Sequence, residues 1–132
     1  MLRALGVVTC LSLAACGSTG AAPPGVAWHA TDVAPHGRPK LVFVAAQWAA
    51  ASGEMDHRVF TAPDVVAESA RFDMVRLDVT DGLGSAGHEA AIPYRTSGAP
   101  TVVLLRSDGA EATRFSRFVD AQTLLAAMRE VR

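Results

Sequence analysis

Lys40-Leu41-Val42-Phe43-Val44-Ala45-Ala46-Gln47-Trp48-Ala49-Ala50-Ala51-Ser52 is the stretch that decides the fold. From Leu41 to Ala46 it is apolar without a break, with Val and Phe prominent. So short a run without alternation suits a strand buried on both faces. Residues 53–60 then read as a helix, with Met55, Val59 and Phe60 on a shared side. Thr61-Ala62-Pro63-Asp64 predicts a restart: a hydroxyl cap, an early proline and an acid three residues on. Val65, Val66 and Ala70 continue that second helical piece.

Toward the C-terminus, residues 72–79 alternate well enough for a second strand, which Asp81-Gly82 breaks. Residues 85–92 make a short helix stopped by Pro93. Ala99-Pro100 precedes a third strand at residues 101–105. Ser107-Asp108-Gly109 is a tight-turn signal, after which residues 111–118 return antiparallel. Asp120 caps a last helix whose Ala121, Leu124, Leu125, Met128 and Val131 follow helical spacing. The order implies an α/β fold, a central mixed sheet flanked by helices, with a parallel half and an antiparallel half.

Toward the N-terminus, Arg3 precedes a short apolar stretch of Leu5, Val7, Val8, Leu11 and Leu13, which ends in Leu13-Ala14-Ala15-Cys16. Charge, apolar core and small residues, in that order, make a secretory signal. The run is far short of the roughly 20 residues of a spanning helix. Leu-Ala-Ala-Cys resembles the lipobox of bacterial lipoproteins. That resemblance implies removal of residues 1–15, lipid on Cys16 and anchoring in the cell envelope; an ordinary cleaved signal is the simpler alternative. Residues 16–27 read as a lipidated flexible tether, because Gly, Ser, Thr, Ala and Pro dominate and cannot bury enough apolar surface. One domain, residues 28–132, follows and is long enough for a modest core.

The net charge of −1, with both signs spread along the chain, offers no nucleic-acid footprint. The two cysteines, Cys10 and Cys16, both lie in the leader and lipobox, so the domain has no thiol of its own. In an exported protein, where disulfides are permitted, that is informative.

Four segments resemble the thioredoxin superfamily, and within it the C-terminal periplasmic domain of the transmembrane thiol–disulfide interchange proteins. Ala46-Gln47-Trp48 stands where the family has small-acidic-Trp before its redox pair. Val59-Phe60-Thr61-Ala62-Pro63-Asp64-Val65 is similar to that branch's aromatic-Thr-Phe-Ser-Asp-Pro-x-Val. Tyr94-Arg95-Thr96-Ser97-Gly98-Ala99-Pro100-Thr101 is similar to Tyr-x-Val-x-Gly-x-Pro-Thr, and Phe118-Val119-Asp120 to the entry of the last helix. The resemblance implies a cis Ala99–Pro100 bond and a substrate-docking face made of Trp48, Ala49, Ser52, Ala99, Pro100 and Thr101. It also exposes departures. Ala49 and Ser52 replace the two redox cysteines, and Phe43 stands where many members bury a proton-accepting acid.

Exchange needs a thiolate, and a serine hydroxyl needs an activating base. His57 follows Ser52 by about 500° of helical rotation, so it faces elsewhere. Ser52 therefore reads as a helix N-cap rather than a nucleophile. Met55 and His57 are the most that metal chemistry is offered; His29, His36, His57 and His88 form no ligand pair. Asp78 and Asp81 read as a solvated strand end. No cofactor motif is present, and no catalytic residue is assigned. The sequence favours a redox-inactive envelope lipoprotein that binds or assists through its old active-site face, holding a peptide, a partner protein or a small ligand. The alternatives are a thiol–disulfide interchange protein working with a partner's thiols and an envelope metal-handling protein.

Overall fold

The computed structural model describes residues 25–132. Residues 1–24, on which the expected leader, Cys16 and most of the expected tether fall, lie outside the described residues. Five strands form one sheet in the order β1-β3-β2-β4-β5. They are β1 (Trp28–His29), β2 (Lys40–Ala45), β3 (Asp73–Asp78), β4 (Thr101–Leu105) and β5 (Glu111–Phe115). Strands β1, β3 and β2 run parallel, and β4 and β5 add antiparallel pairs. The mixed sheet with its two halves is the architecture that the sequence implied.

Every residue of β2 is buried, as expected of a central strand covered on both faces. Leu41, Phe43 and Ala45 point into one core with Met55, Val65, Leu124 and Met128. Val42, Val44 and Ala46 point into the other with Val75, Leu77 and Ala91. The period of two sorts the side chains. Helices α1 (Ala50–Glu54), α2 (Pro63–Ser69) and α4 (Ala121–Glu130) cover the first face, and α3 (Ala86–Ala91) the second. Among the described residues no helix is long and apolar enough to cross a membrane.

Local details differ from expectation in physically clear ways. The first helix begins at Ala50, three residues early, because the alanine run needs no side-chain cap to turn helical. It widens into a π-helical turn, Met55–Val59, where the Phe60 N–H reaches the Met55 carbonyl at 3.0 Å. That extra residue per turn buries Met55, Val59 and Phe60 together. Thr61 does not cap α2. Its hydroxyl donates to the His57 carbonyl at 2.6 Å, and Ala62 occupies the cap position. Helix α3 ends at Ala91, ahead of Pro93 as expected, and the chain runs on into a 3₁₀ turn, Ile92–Tyr94, where the proline's missing N–H costs little. Asp120 does cap α4, accepting the Thr123 N–H at 2.8 Å.

Helix α3 lies unusually close to β3. A Cβ on Gly87 would stand 1.7 Å from the Asp78 carbonyl oxygen, so only glycine fits there.

Candidate functional site

The site lies where β2 ends and α1 begins. The Ala49 N–H donates to the Ala46 carbonyl at 3.1 Å and the Ser52 N–H to the Ala49 carbonyl at 2.9 Å, forming a tight turn. Ala49 and Ser52 thus open the helix, the places that the resemblance gives to the two thiols. Ser52 is 1 % exposed and interior to α1. It is not the N-cap that the sequence suggested: the cap residue is Ala49. The Ser52 hydroxyl points back under the turn and accepts the Ala46 N–H at 3.3 Å. Among the described residues no imidazole or carboxylate hydrogen-bonds to it, so nothing there activates it as a nucleophile.

Beneath the turn, Phe43 is fully buried. Its ring lies 4.7 Å from that of Phe60 and 6.0 Å from that of Trp28. Trp28 meets Phe60 edge-on at 4.8 Å. An aromatic cluster fills the place where a buried acid would accept a proton. The Arg76 guanidinium lies 5.7 Å from the Phe43 ring centroid and grips Asp56 at 2.9 and 3.3 Å. Asp56 pairs with Arg76, and both side chains reach solvent.

Trp48 is 64 % exposed. Its indole N–H donates to the Thr80 carbonyl at 3.3 Å, and the neighbouring Gln47 N–H donates to the Thr80 hydroxyl oxygen at 3.0 Å. The Thr80 hydroxyl in turn donates to Asp78 Oδ1, which also takes the Thr80 N–H at 2.9 Å. Thr80's hydroxyl and then its N–H hold the Asp78 carboxyl below the usual carboxylate range. Asp78 is an anchor for this loop, and no pairing with Asp81 is seen.

Trp48, Leu83, Ile92 and Gly98 line a groove of about 500 Å³. Leu83 is 89 % exposed and Ile92 56 %, so three large apolar side chains meet solvent around one concavity. Sequence reasoning missed Leu83, Ile92 and Thr80. A leucine flanked by Gly82 and Gly84, both at positive φ, was the available signal, since a large apolar group on a glycine turn has no core to enter.

The Ala99–Pro100 bond is cis, as the resemblance implied. Ala99 is half-buried, and the Thr101 hydroxyl donates to the Gly98 carbonyl at 2.7 Å, bracing the loop. Pro100 and Thr101 are buried like Ser52, so these three support the face from below. Of the six residues expected on it, Trp48, Ala49 and Ala99 remain accessible.

Met55 is fully buried in the core whereas His57 is exposed, so the two do not meet as metal ligands. Among the described residues no three His, Cys, Asp or Glu side chains cluster as a metal site requires.

Comparison with solved structures places this geometry. The C-terminal domain of DsbD from Neisseria meningitidis in its oxidised form is 25 % identical, with 72 % of this chain and 81 % of that chain covered and a TM-score of 0.59. Its reduced form is 26 % identical, with 72 % and 82 % covered and a TM-score of 0.59. A thioredoxin from Thermus thermophilus is 27 % identical, with 72 % and 74 % covered and a TM-score of 0.60. No protein-family model matches the chain, and no curated protein matches it in sequence. The fold is thioredoxin-like, and the chain is similar to the DsbD C-terminal domain and to thioredoxins.

Proposed function

We propose that this chain is an exported, Cys16-lipidated module that holds a polypeptide at the groove beside Trp48 and does not exchange disulfides by itself. The observation that carries the reading is the pair Ala49 and Ser52 at the turn where related proteins exchange disulfides. Residues 25–132 contain no cysteine, so no thiolate is available from the domain. The fold's recognition surface is retained without its chemistry. Trp48, Leu83 and Ile92 supply apolar contact area, and the backbone at Gly98, with the partly buried Ala99 next to it, offers an edge for an extended segment. Trp48 is the aromatic of this lining, and tryptophan is enriched among the residues that dominate binding energy.

The test has two arms. In intact cells, a photo-cross-linker in place of Leu83 should capture a defined polypeptide, and Ala99→Asp should abolish capture while the fold persists. Replacing Cys16 with Ser should release the protein from the membrane fraction and remove its lipid label. Insulin reduction by the unaltered chain would overturn the redox-inactive reading. Turnover only when a partner's thiols are added would favour an accessory role in thiol–disulfide interchange instead.

A further inference from the structure

A second groove of about 480 Å³ shares only Arg95 with the one beside Trp48. We infer that it is a site for a phosphate monoester carrying a small apolar body. Its size falls within the roughly 300–1,000 Å³ of small-molecule pockets.

The floor is built and saturated. Lys40 is 5 % exposed, and its ammonium donates to Asp32 Oδ1 at 2.9 Å, to the Tyr94 hydroxyl at 3.2 Å and to the Val33 carbonyl. The Tyr94 hydroxyl donates to Asp32 Oδ2 at 2.7 Å. This floor is electrically balanced, and it fixes the Val33 wall.

The rim is not balanced. It carries Arg38, Arg95, Arg106 and Arg114 against Glu111. Arg38 is committed to the Ala70 and Phe72 carbonyls and is offset by Asp73, whose Oδ1 lies 3.7 Å from its Nε, so the uncompensated charge lies on Arg95 and Arg106. Arg114 is committed to Glu111 and to the Tyr94 and Arg95 carbonyls. Arg106 donates only to the Glu111 carbonyl, at 3.2 Å. Among the described residues the Arg95 guanidinium has no hydrogen-bond or ion-pair partner. Two guanidinium forks therefore retain free N–H groups above a wall of Val33, Pro35, Pro93 and Leu105. Guanidinium forks match phosphate oxygens in pairs, and two of them suit a dianion better than a single carboxylate. Both are held from the backbone. The Arg95 N–H donates to the Ile92 carbonyl at 3.0 Å, and the Arg106 N–H to the Ala110 carbonyl at 2.8 Å. A positive rim on a chain of net charge −1 concentrates anions at this face.

The full chain carrying Cys16→Ser is titrated with phenylphosphonate, inorganic phosphate and benzoate, and followed by amide chemical shifts. Phenylphosphonate should saturate, with shifts at Val33, Arg95 and Arg106, and bind at least tenfold more tightly than the other two. Arg106→Gln, which leaves the groove beside Trp48 untouched, should weaken it at least tenfold. Equal binding of benzoate would overturn the assignment to phosphate. Unchanged affinity in Arg106→Gln would overturn the site. Binding to phosphatidylglycerol vesicles without any phenylphosphonate shifts would assign the rim to a membrane surface and overturn the small-molecule reading.

Discussion

The Ser52 hydroxyl accepts the Ala46 N–H from inside helix α1, tying the end of β2 to the turn that follows it. At this position a thiol would carry chemistry, and the hydroxyl carries structure. Ser52→Ala leaves a buried N–H without an acceptor, which costs on the order of 1–2 kcal/mol. Urea unfolding should show that loss. In the converse variant, Cys at both 49 and 52, the single turn between them keeps the Cα atoms within roughly the 4.4–6.8 Å that a disulfide spans. That variant should oxidise to a form without free thiols yet exchange slowly with insulin. Phe43 and its aromatic neighbours offer no proton acceptor for the second sulfur. Fast turnover would show that the acid at this place is dispensable.

Two glycines should respond with opposite signs. Gly87→Ala forces a Cβ to 1.7 Å from the Asp78 carbonyl oxygen, so α3 must lift from β3. Overpacking of this kind costs about 1–3 kcal/mol. Gly53, inside α1, has nothing within 4 Å of its Cβ position. Gly53→Ala should stabilise by about 0.5–1 kcal/mol through the lower backbone freedom of the unfolded chain. Denaturant midpoints of the two variants, measured side by side, check both signs.

This pair also shows which parts of the molecule were legible in the sequence. Strands β2, β3 and β4 and helix α4 carry their own signals: an unbroken apolar run, alternation, and an Asp120 cap ahead of helical spacing. The cis bond and the turn at Ala49 came from the resemblance of short motifs, which the fold repeats. What was not legible depends on distant contacts. Strand β1 is two residues long; it pairs with β3, and Trp28 packs on Phe43 and Phe60, contacts that no local pattern announces. The burial of Ser52 follows from α1 starting early. Gly87 looks like any helix glycine until β3 lies beneath it. The groove beside Trp48 draws on four separated segments, and no local pattern announces that Leu83 and Ile92 will face the same space.

The floor of the second groove makes stability depend on pH at both extremes. Against the upward pull of burial, the Tyr94 hydroxyl and the Lys40 ammonium hold the Asp32 carboxyl below its ordinary value. A depressed carboxyl stabilises the fold above its unfolded pKa near 4 and loses that contribution as pH falls through the folded value. Burial, and the hydrogen bond to Asp32, push the Tyr94 phenol well above its ordinary value. A raised phenol stabilises fully below the unfolded pKa near 10 and loses its contribution as pH rises beyond it. Unfolding midpoints should therefore hold steady between about pH 5 and 9 and fall on either side. Tyr94→Phe should flatten the alkaline limb and cost about 1 kcal/mol at neutral pH through the lost hydrogen bonds. An alkaline limb unchanged in that variant would place its origin elsewhere.

Trp48 is presented to solvent by Thr80, and the last prediction separates presentation from packing. The Thr80 carbonyl takes the indole N–H, while its hydroxyl oxygen takes the Gln47 N–H and its hydroxyl proton goes to Asp78. Thr80→Val keeps the shape and the carbonyl and removes the hydroxyl. Because Gln47 is exposed, its N–H can turn to water, so global stability should fall by less than about 1 kcal/mol. The loop beside Trp48 loses its tie to β3, and the indole should gain motion. The chain has two tryptophans, so the measurement is made in Trp28→Phe, where Trp48 is the only emitter. Fluorescence anisotropy should drop in Thr80→Val, and capture of the partner at Leu83 should drop with it. If anisotropy falls while capture holds, the groove recognises its partner through Leu83 and Ile92, and Trp48 is a bystander. If neither changes, the Asp78 and Thr80 pair is a strand-end ornament rather than the support of a binding face.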